Sequence, residues 1–425
     1  MRHPLLVIYL LCSSSIMAKP LEFVHWWSSK GELKALSVIT QEMNKESKAA
    51  SAPDWKIHTV TGEGGTIMTK VLQTRGLAGT LPTLSQLSGT EIGLWARLGF
   101  LKSLDDIADQ ENWQQVMRPL TLDVSQYEQH YIALPLAVHR INWLWTNKAL
   151  FKKAQLAAPH DIESLIAAIK KFKQLKIKPI AIGNQPWQIS ILFENIALGM
   201  SGNDYYKKAF VQLSAEAINH VNMQKILDQF REISLLIKPS LGKESWEHST
   251  SDLLLNNAAM QVGGDWILGE INALNEDAMS LIDCHVAPGT QGNFIYNMDN
   301  ILHFKNVNNS AEASAVNTIM KRLSSIELQH DFNKFKGSLP ARLDVDISDY
   351  NDCAKQAEND YQQAKIANKL LPSFTDSMAV NPVMQRMIVD QIHDFFNHPN
   401  MSNKTFIANF LAISAAINHD KKNNH

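Results

Sequence analysis

The spacing of apolar positions predicts alternating strands and helices over the first part of the chain. Residues 21–24 form a short β-prone run, and apolar residues from Leu33 to Met43 then recur at the spacing of one helix face. Two further strand-like segments, at residues 55–60 and 82–87, each lead into another helical pattern. This order is typical of a parallel sheet that helices cover on both faces, so the sequence predicts an α/β fold.

A second group of elements begins with a long apolar stretch at residues 131–145, which is β-prone on both sides of His139 and Arg140. Such a stretch suits a strand that leaves one sheet and enters another. Asp161 then opens a helix with one apolar face, and residues 179–182 form a buried strand. The pattern therefore predicts two sheets.

Composition narrows the class of protein. The chain has 425 residues, of which 45% are hydrophobic and 19% are charged. Roughly two to three domains with apolar cores are expected at this length. The formal net charge is −2, which provides no basic field for nucleic acid, so no nucleic-acid partner is predicted.

Residues 1–18 have the pattern of an export signal. Arg2 is the positive end, residues 5–11 are apolar, and Ala18 is a small residue suited to cleavage. The mature chain is therefore expected to begin after Ala18 in an exported compartment. Lipid attachment at Cys12 is the less favoured alternative, because the residues before it lack the small side chain that such processing prefers.

Cleavage after Ala18 leaves two cysteines, Cys284 and Cys353. An even pair in an oxidising compartment predicts one disulfide, and two buried free thiols are the alternative.

Tryptophans beside polar residues recur where predicted strands end. The first case is residues 25–32, and similar groups follow at residues 183–188 and 260–266, while residues 294–299 end on the carboxylate of Asp299 without a tryptophan. Indole rings present flat apolar faces, while hydroxyls, amides and carboxylates form hydrogen bonds beside them; a saccharide needs both. One shared cleft explains the four groups together, although a tryptophan at any single strand end is as often part of the core.

Few other chemistries find support in the sequence. The 15 histidines show no zinc-binding spacing, and a lone histidine such as His139 is more often a satisfied core residue. The glycines at residues 62–65 are not followed by the Gly-Lys-Ser/Thr of a nucleotide loop. A glycoside hydrolase that uses Glu32, Asp265 and Asp299 remains the alternative, because such an enzyme needs only two carboxylates.

Several motifs, taken in order from about residue 21 to the C-terminus, resemble the sugar-binding proteins of ABC transporters, most of all the branch of glucose-binding periplasmic proteins. The motifs are Val24-His25-Trp26-Trp27, Val138-His139-Arg140, Gly183-Asn184-Gln185-Pro186-Trp187-Gln188, Gly264-Asp265-Trp266, Tyr296-Asn297-Met298-Asp299 and Lys336-Gly337-Ser338-Leu339-Pro340-Ala341-Arg342. Each motif alone is weak, but the ordered set is specific.

The resemblance implies a two-lobed periplasmic-binding-protein fold with hinge strands between the lobes. Residues 19–130 and 290–336 would form the first lobe, and residues 131–289 and 337–425 the second, which would place both cysteines in the second lobe. It also implies no enzymatic activity, no cofactor and no metal. The protein would be a periplasmic monomer that binds a sugar and delivers it to an ABC permease; a sensor component with the same fold is a further alternative.

The resemblance also implies a set of ligand-binding residues. Trp26 and Trp27 would form a stacking wall, Glu32 and Asp299 would accept hydrogen bonds, and Lys336 would donate them. The full set is Trp26, Trp27, Glu32, Gln86, Ser88, His139, Trp187, Gln188, Asp265, Trp266, Asp299, Lys336 and Val380.

Two positions depart from the glucose-binding branch. That branch tends to have a lysine where this chain has Ser88, and a histidine where it has Val380. The loss of two donors would weaken glucose binding; alternatively, the freed space accepts a modified or longer sugar, with Val380 packing against an apolar substituent. Glucose is therefore predicted not to be the best ligand.

Overall fold

The computed structural model describes residues 20–48, 53–238, 241, 245–275, 277–307 and 309–423. The predicted export signal at residues 1–18, including Cys12, lies outside the described residues. Across the ranges that are described, no helix is both long and apolar enough to cross a membrane.

Strands and helices alternate along most of the described chain. The strands are β1 (Leu21–His25), β2 (Trp55–Thr59), β3 (Leu84–Leu87), β4 (Gln126–Tyr127), β5 (His130–Tyr131), β6 (Ala133–Arg140), β7 (Trp143–Asn147), β8 (Lys178–Ile180), β9 (Ala258–Gly263), β10 (Ile282–Val286), β11 (Phe294–His303), β12 (Leu339–Pro340) and β13 (Leu370–Pro372). The helices are α1 (Lys30–Ser47), α2 (Thr66–Leu77), α3 (Thr90–Arg97), α4 (Asp105–Gln110), α5 (Trp113–Val116), α6 (Pro119–Val124), α7 (Lys148–Ala154), α8 (Ile162–Gln174), α9 (Pro186–Tyr206), α10 (Ala215–Ile218), α11 (Val221–Ile237), α12 (Trp246–Leu254), α13 (Trp266–Leu274), α14 (Ser310–Leu323), α15 (Ile326–Lys336), α16 (Asp352–Ile366), α17 (Pro382–Asn397) and α18 (Asn403–Asn423).

The larger sheet has the strand order β12-β6-β11-β3-β1-β2, and β13 lies beside β11. Strands β1, β2 and β3 are parallel, whereas β11 runs antiparallel to both β3 and β6. Helix α1 buries Leu36, Ile39 and Met43 in the core beside this sheet, as the apolar spacing predicts. The α/β class and the strand–helix order at the start of the chain are therefore confirmed.

The smaller sheet has the order β10-β7-β9-β8. Its core contains the apolar face of α8, with Leu165, Ile169 and Phe172, together with side chains from α9, α11 and the C-terminal helices α17 and α18. The end of the chain thus packs beside the smaller sheet.

The chain passes from the larger to the smaller sheet between β6 and β7 and returns between β10 and β11. The Asn142 side chain ties the two passages together. Its Nδ2 donates to the carbonyl oxygen of Asn293 at 3.0 Å, and its Oδ1 accepts from the backbone N–H of Ile295 at 3.1 Å. The prediction that residues 131–145 leave one sheet and enter another is confirmed.

The strand pairing adds detail to the predicted lobe ranges, which stay a prediction. The ranges predicted for the second lobe, 131–289 and 337–425, contain β6, β12 and β13, and all three strands pair within the larger sheet. The hydrophobic pattern does not show where the chain changes sheet, because the apolar runs on either side of Arg140 are equally β-prone.

The predicted disulfide is present. Cys284 on β10 and Cys353 on α16 are bonded, with their Cα atoms 6.1 Å apart. Helix α16 also packs on β11, β12 and β13. The bridge therefore joins an edge strand of the smaller sheet to a helix that contacts the larger sheet, rather than lying wholly within one set of strands.

Candidate ligand-binding cleft

A cleft of about 260 Å³ opens between loops and helix ends that follow strands of both sheets. Seven of the predicted residues line it: Trp26, Glu32, His139, Trp187, Trp266, Asp299 and Lys336. Residues that are far apart in sequence therefore share one wall, as the repeated tryptophan groups predict. Their contact with a ligand stays a prediction.

Glu32 begins the charged side of the cleft and also organises the start of α1. Its Oε2 accepts from the backbone N–H of Ser28 at 3.0 Å and of Ser29 at 3.1 Å, while its own N–H donates to Ser29 Oγ. This reciprocal arrangement is a capping box. The other oxygen, Oε1, accepts from Lys336 Nζ at 2.7 Å. One carboxylate thus fixes a helix start and a buried cation together.

The electrostatics favour the ionised form of this pair. Burial alone would raise the pKa of Glu32, but Lys336 and the two backbone N–H groups hold it below its usual value. Burial likewise opposes the charge on Lys336, yet Glu32 and Asp299 raise its pKa. Both side chains are therefore charged in the wall of the cleft at neutral pH.

His139 lies between two carboxylates. Its Nδ1 donates to Asp265 Oδ1 at 2.6 Å and its Nε2 donates to Asp299 Oδ2 at 3.1 Å. Burial would lower the pKa of His139, but Asp265 and then Asp299 outweigh it and raise that pKa to about 9. Because both ring nitrogens face carboxylates, the imidazole is held as a cation.

Asp299 is a further fixed charge in the wall of the cleft. Its pKa falls to about 2, because His139 and the more distant Lys336 outweigh the effect of burial. Trp27 Nε1 donates to its Oδ2 at 3.3 Å, and Gln86 Nε2 donates to its Oδ1 at 2.7 Å. These two predicted site residues hold Asp299 in position from behind.

The aromatic part of the wall consists of Trp26, Trp187 and Trp266. Trp187 and Trp266 meet edge to face, with ring centroids 6.1 Å apart. The glycine loop packs against the other ring faces: a Cβ on Gly65 would lie 3.0 Å from the Trp26 ring, and one on Gly64 would lie 3.3 Å from the Trp187 ring. Both glycines have positive φ, at 92° and 58°, which also favours glycine.

Six of the predicted residues do not line the cleft, and one of them, Ser88, lines an adjoining cavity instead. Trp27 is fully buried and packs on Phe332 in the core, so its ring presents no face to the cleft. Asp265 orients His139, and Gln188 accepts from the Gly183 N–H at 2.9 Å. Val380 is buried in the apolar core next to the smaller sheet. The other residue of this group is Gln86, bonded to Asp299 as described above.

Asp376 is a lining residue that the sequence analysis missed. Its backbone N–H donates to Ser373 Oγ, but its Oδ2 is buried and has no hydrogen-bond partner within the part of the chain that the structure describes. Burial, and then the proximity of Glu194, raise the pKa of Asp376 to about 7. It follows β13 in a segment without periodic pattern, so only its position four residues before Val380, a predicted site residue, could have indicated it.

Other lining groups complete the cleft. Asn297, Gln185 and Trp246 also face it, and the first two lie within motifs that the sequence analysis had already identified. Among the described residues, no group of three or more His, Cys, Asp or Glu side chains is placed to hold a metal ion.

The sequence matches the family model described as bacterial extracellular solute-binding protein over residues 31–292. A "probable sugar-binding periplasmic protein" of Rhizobium meliloti (strain 1021) is 33% identical, covering 96% of this chain and 97% of its own. A protein of the same description from Brucella suis biovar 1 (strain 1330) is 33% identical, covering 93% of this chain and 92% of its own. A solved structure described as "chitin oligosaccharide binding protein" has a TM-score of 0.80 at 16% identity, covering 94% of this chain and 98% of that one, which concerns the fold alone.

Proposed function

Because the chain belongs to the bacterial extracellular solute-binding proteins, we propose that it is the sugar receptor of an ABC importer. It binds a mono- or small oligosaccharide in the cleft, acts as a monomer in the periplasm, and delivers the sugar to a membrane permease. Family membership confirms two predictions, namely that the protein is exported and that it is a binding protein rather than an enzyme.

One observation supports a saccharide as the ligand: three indole rings share the cleft with buried charges that are already oriented. Trp26, Trp187 and Trp266 offer apolar faces to the C–H faces of a pyranose, and Glu32, Asp299 and Lys336 offer acceptors and a donor to its hydroxyls. Pre-orientation matters, because side chains that are fixed before binding lose little conformational entropy when the sugar enters.

The electrostatics of Glu32 and Asp299 oppose the glycoside-hydrolase alternative, which uses these two carboxylates and Asp265. A glycosidase needs a carboxylic acid with a raised pKa as its general acid, but the pKa values of Glu32 and Asp299 are both lowered. Asp265 bonds to His139 and Arg140 behind the wall of the cleft. The three carboxylates therefore suit hydrogen bonding to hydroxyls.

A thermal-shift screen of mono- and oligosaccharides on the mature protein tests this proposal. At a ligand concentration roughly 100 times Kd, the right sugar should stabilise the fold by about 3 kcal/mol. Trp26→Leu should lose most of this gain. Trp55→Leu is the matched control, because Trp55 is also half-buried but lies on β2 away from the cleft. No shift with any sugar, or equal losses in the two variants, would refute the proposal.

Closure around the ligand is a second expectation, since the cleft is lined from both sheets. Small-angle scattering at saturating sugar should show a smaller radius of gyration, together with a change in tryptophan fluorescence. An unchanged scattering profile would remove the idea of hinge closure while leaving binding itself intact.

A further inference from the structure

A second cavity of about 340 Å³ adjoins the cleft. The two share six lining residues: Trp26, Gly64, Gly65, Trp187, Asn297 and Asp376. The indoles of Trp26 and Trp187 therefore border both spaces. Each cavity alone is near the lower end of the range of about 300–1,000 Å³ that is usual for ligand sites. Together they form a longer site with aromatic surface at the junction.

Polar groups in the second cavity have incomplete hydrogen bonding. Within the described ranges, Ser88 Oγ and Asp376 Oδ2 are buried without a partner. The Glu91 carboxylate accepts from the hydroxyl of Thr69, at 3.0 and 3.1 Å, and burial raises its pKa to about 7. Buried polar groups in native proteins are normally paired, so these atoms point to a ligand that supplies hydroxyl groups.

The chemistry of the lining differs between the two cavities. Glu32, His139, Asp299 and Lys336 in the cleft are bonded to one another or to nearby backbone, which provides a rigid set of charges. Ser88 in the second cavity has no such ties in the described structure. A first sugar ring would thus meet several charges that are already fixed, and a second ring would meet the unpartnered Ser88 hydroxyl.

We propose that the ligand is a saccharide of at least two linked rings, with one ring in the cleft and the next in the second cavity beside Ser88, Glu91 and Asp376. This inference rests on the proposed function and makes Ser88 a specificity-determining residue. In the resembling glucose-binding branch a lysine takes this position, and a side chain of that length would project into the space that Ser88 leaves open. Val380, the other departing position, has no part in it, because its side chain lies in the apolar core.

Calorimetry with matched sugars tests the proposal. The probes are glucose with maltose and cellobiose, galactose with lactose, and xylose with xylobiose. Two additional hydrogen bonds to the second ring correspond to a gain of about tenfold or more in affinity, so the best disaccharide should bind at least that much more tightly than its monosaccharide. Ser88→Leu should remove this gain and leave the monosaccharide affinity within about twofold, because it fills only the second cavity.

Two further variants keep the outcome interpretable. Ser37→Leu is the matched control, since Ser37 is also half-buried but lies on α1 outside both cavities, and it should change neither affinity. Glu91→Gln should weaken only the disaccharide and does not depend on Ser88→Leu folding normally. If a monosaccharide binds and no disaccharide binds more tightly, or if the second-cavity variants weaken both equally, the two-ring inference is wrong while the proposed function stands. If no saccharide binds, both fail.

Discussion

Titration of His139 should make the protein less stable at alkaline pH. The imidazole donates to Asp265 and Asp299, and these contacts raise its pKa from 6.5 to about 9. A group whose pKa is raised on folding adds stability that is fully present below the unfolded pKa, near 6.5, and is lost as the pH rises through about 9. The window for the loss is therefore about pH 6.5 to 9.

The size of the effect follows from that difference in pKa. Each pKa unit corresponds to about 1.4 kcal/mol, so loss of the His139 proton should lower the free energy of unfolding by about 3 kcal/mol. The pKa of Asp299 moves less, to about 2, since it bonds to one imidazole nitrogen whereas His139 faces two carboxylates. The two pKa shifts describe the same His139–Asp299 contact, so its contribution to stability is counted once. The pKa shift of His139 sets the loss of stability above pH 6.5.

Urea unfolding of the sugar-free protein between pH 6 and 9.5 measures the effect, and an NMR titration of the imidazole measures its pKa directly. The wild type should lose about 3 kcal/mol more over this window than His139→Gln, whose amide does not titrate. His160→Gln is the control, because its imidazole is 80% exposed at the surface, and it should follow the wild type. Equal pH dependence in the wild type and His139→Gln, or an NMR pKa near 6.5, would refute the reasoning.

Two other substitutions test the buried contacts near the cleft. Lys336→Met should lower the free energy of unfolding by about 3–5 kcal/mol, because it leaves the Glu32 carboxylate buried without a cation. Adding Glu32→Gln should recover part of this loss in urea unfolding, and no recovery would contradict a charge effect. Gly31→Ala should lower the free energy of unfolding by about 1–3 kcal/mol in the same assay, because its Cβ would lie 2.4 Å from the backbone of Gly269. Gly93→Ala is the control, since its Cβ would have nothing within 4 Å, and it should be neutral or stabilising. Similar free energies of unfolding for the two variants would contradict the close approach of α1 and α13.

Much of the architecture could be predicted, because it depends on local periodicity. The strand and helix at the start of the chain, the strand that passes between sheets at residues 131–145, and the pairing of Cys284 with Cys353 all follow from patterns or composition that the structure confirms. The gathering of tryptophan-bearing strand ends into one cleft also follows from a repeated local pattern.

What could not be predicted depends on contacts between distant residues. Trp26 and Trp27 are adjacent and chemically identical, and only the partner of Trp27, Asp299 on a strand 272 residues away, shows which ring turns inwards. Asp376 lies in an irregular segment, so no hydrophobic periodicity predicts that its carboxylate lines the cleft. The resemblance places Val380 in the ligand set, but its side chain joins the core of the smaller sheet.

The double use of Glu32 has a consequence for how this protein can evolve. A change at a residue that caps a helix and holds a buried cation lowers the stability of the fold, and Asp299 is tied as closely. Ser88 carries no such structural duty in the described chain. If the second cavity holds the second ring, as proposed, substitutions at Ser88 can change which saccharide is bound at little cost in stability, while the residues of the cleft stay the same.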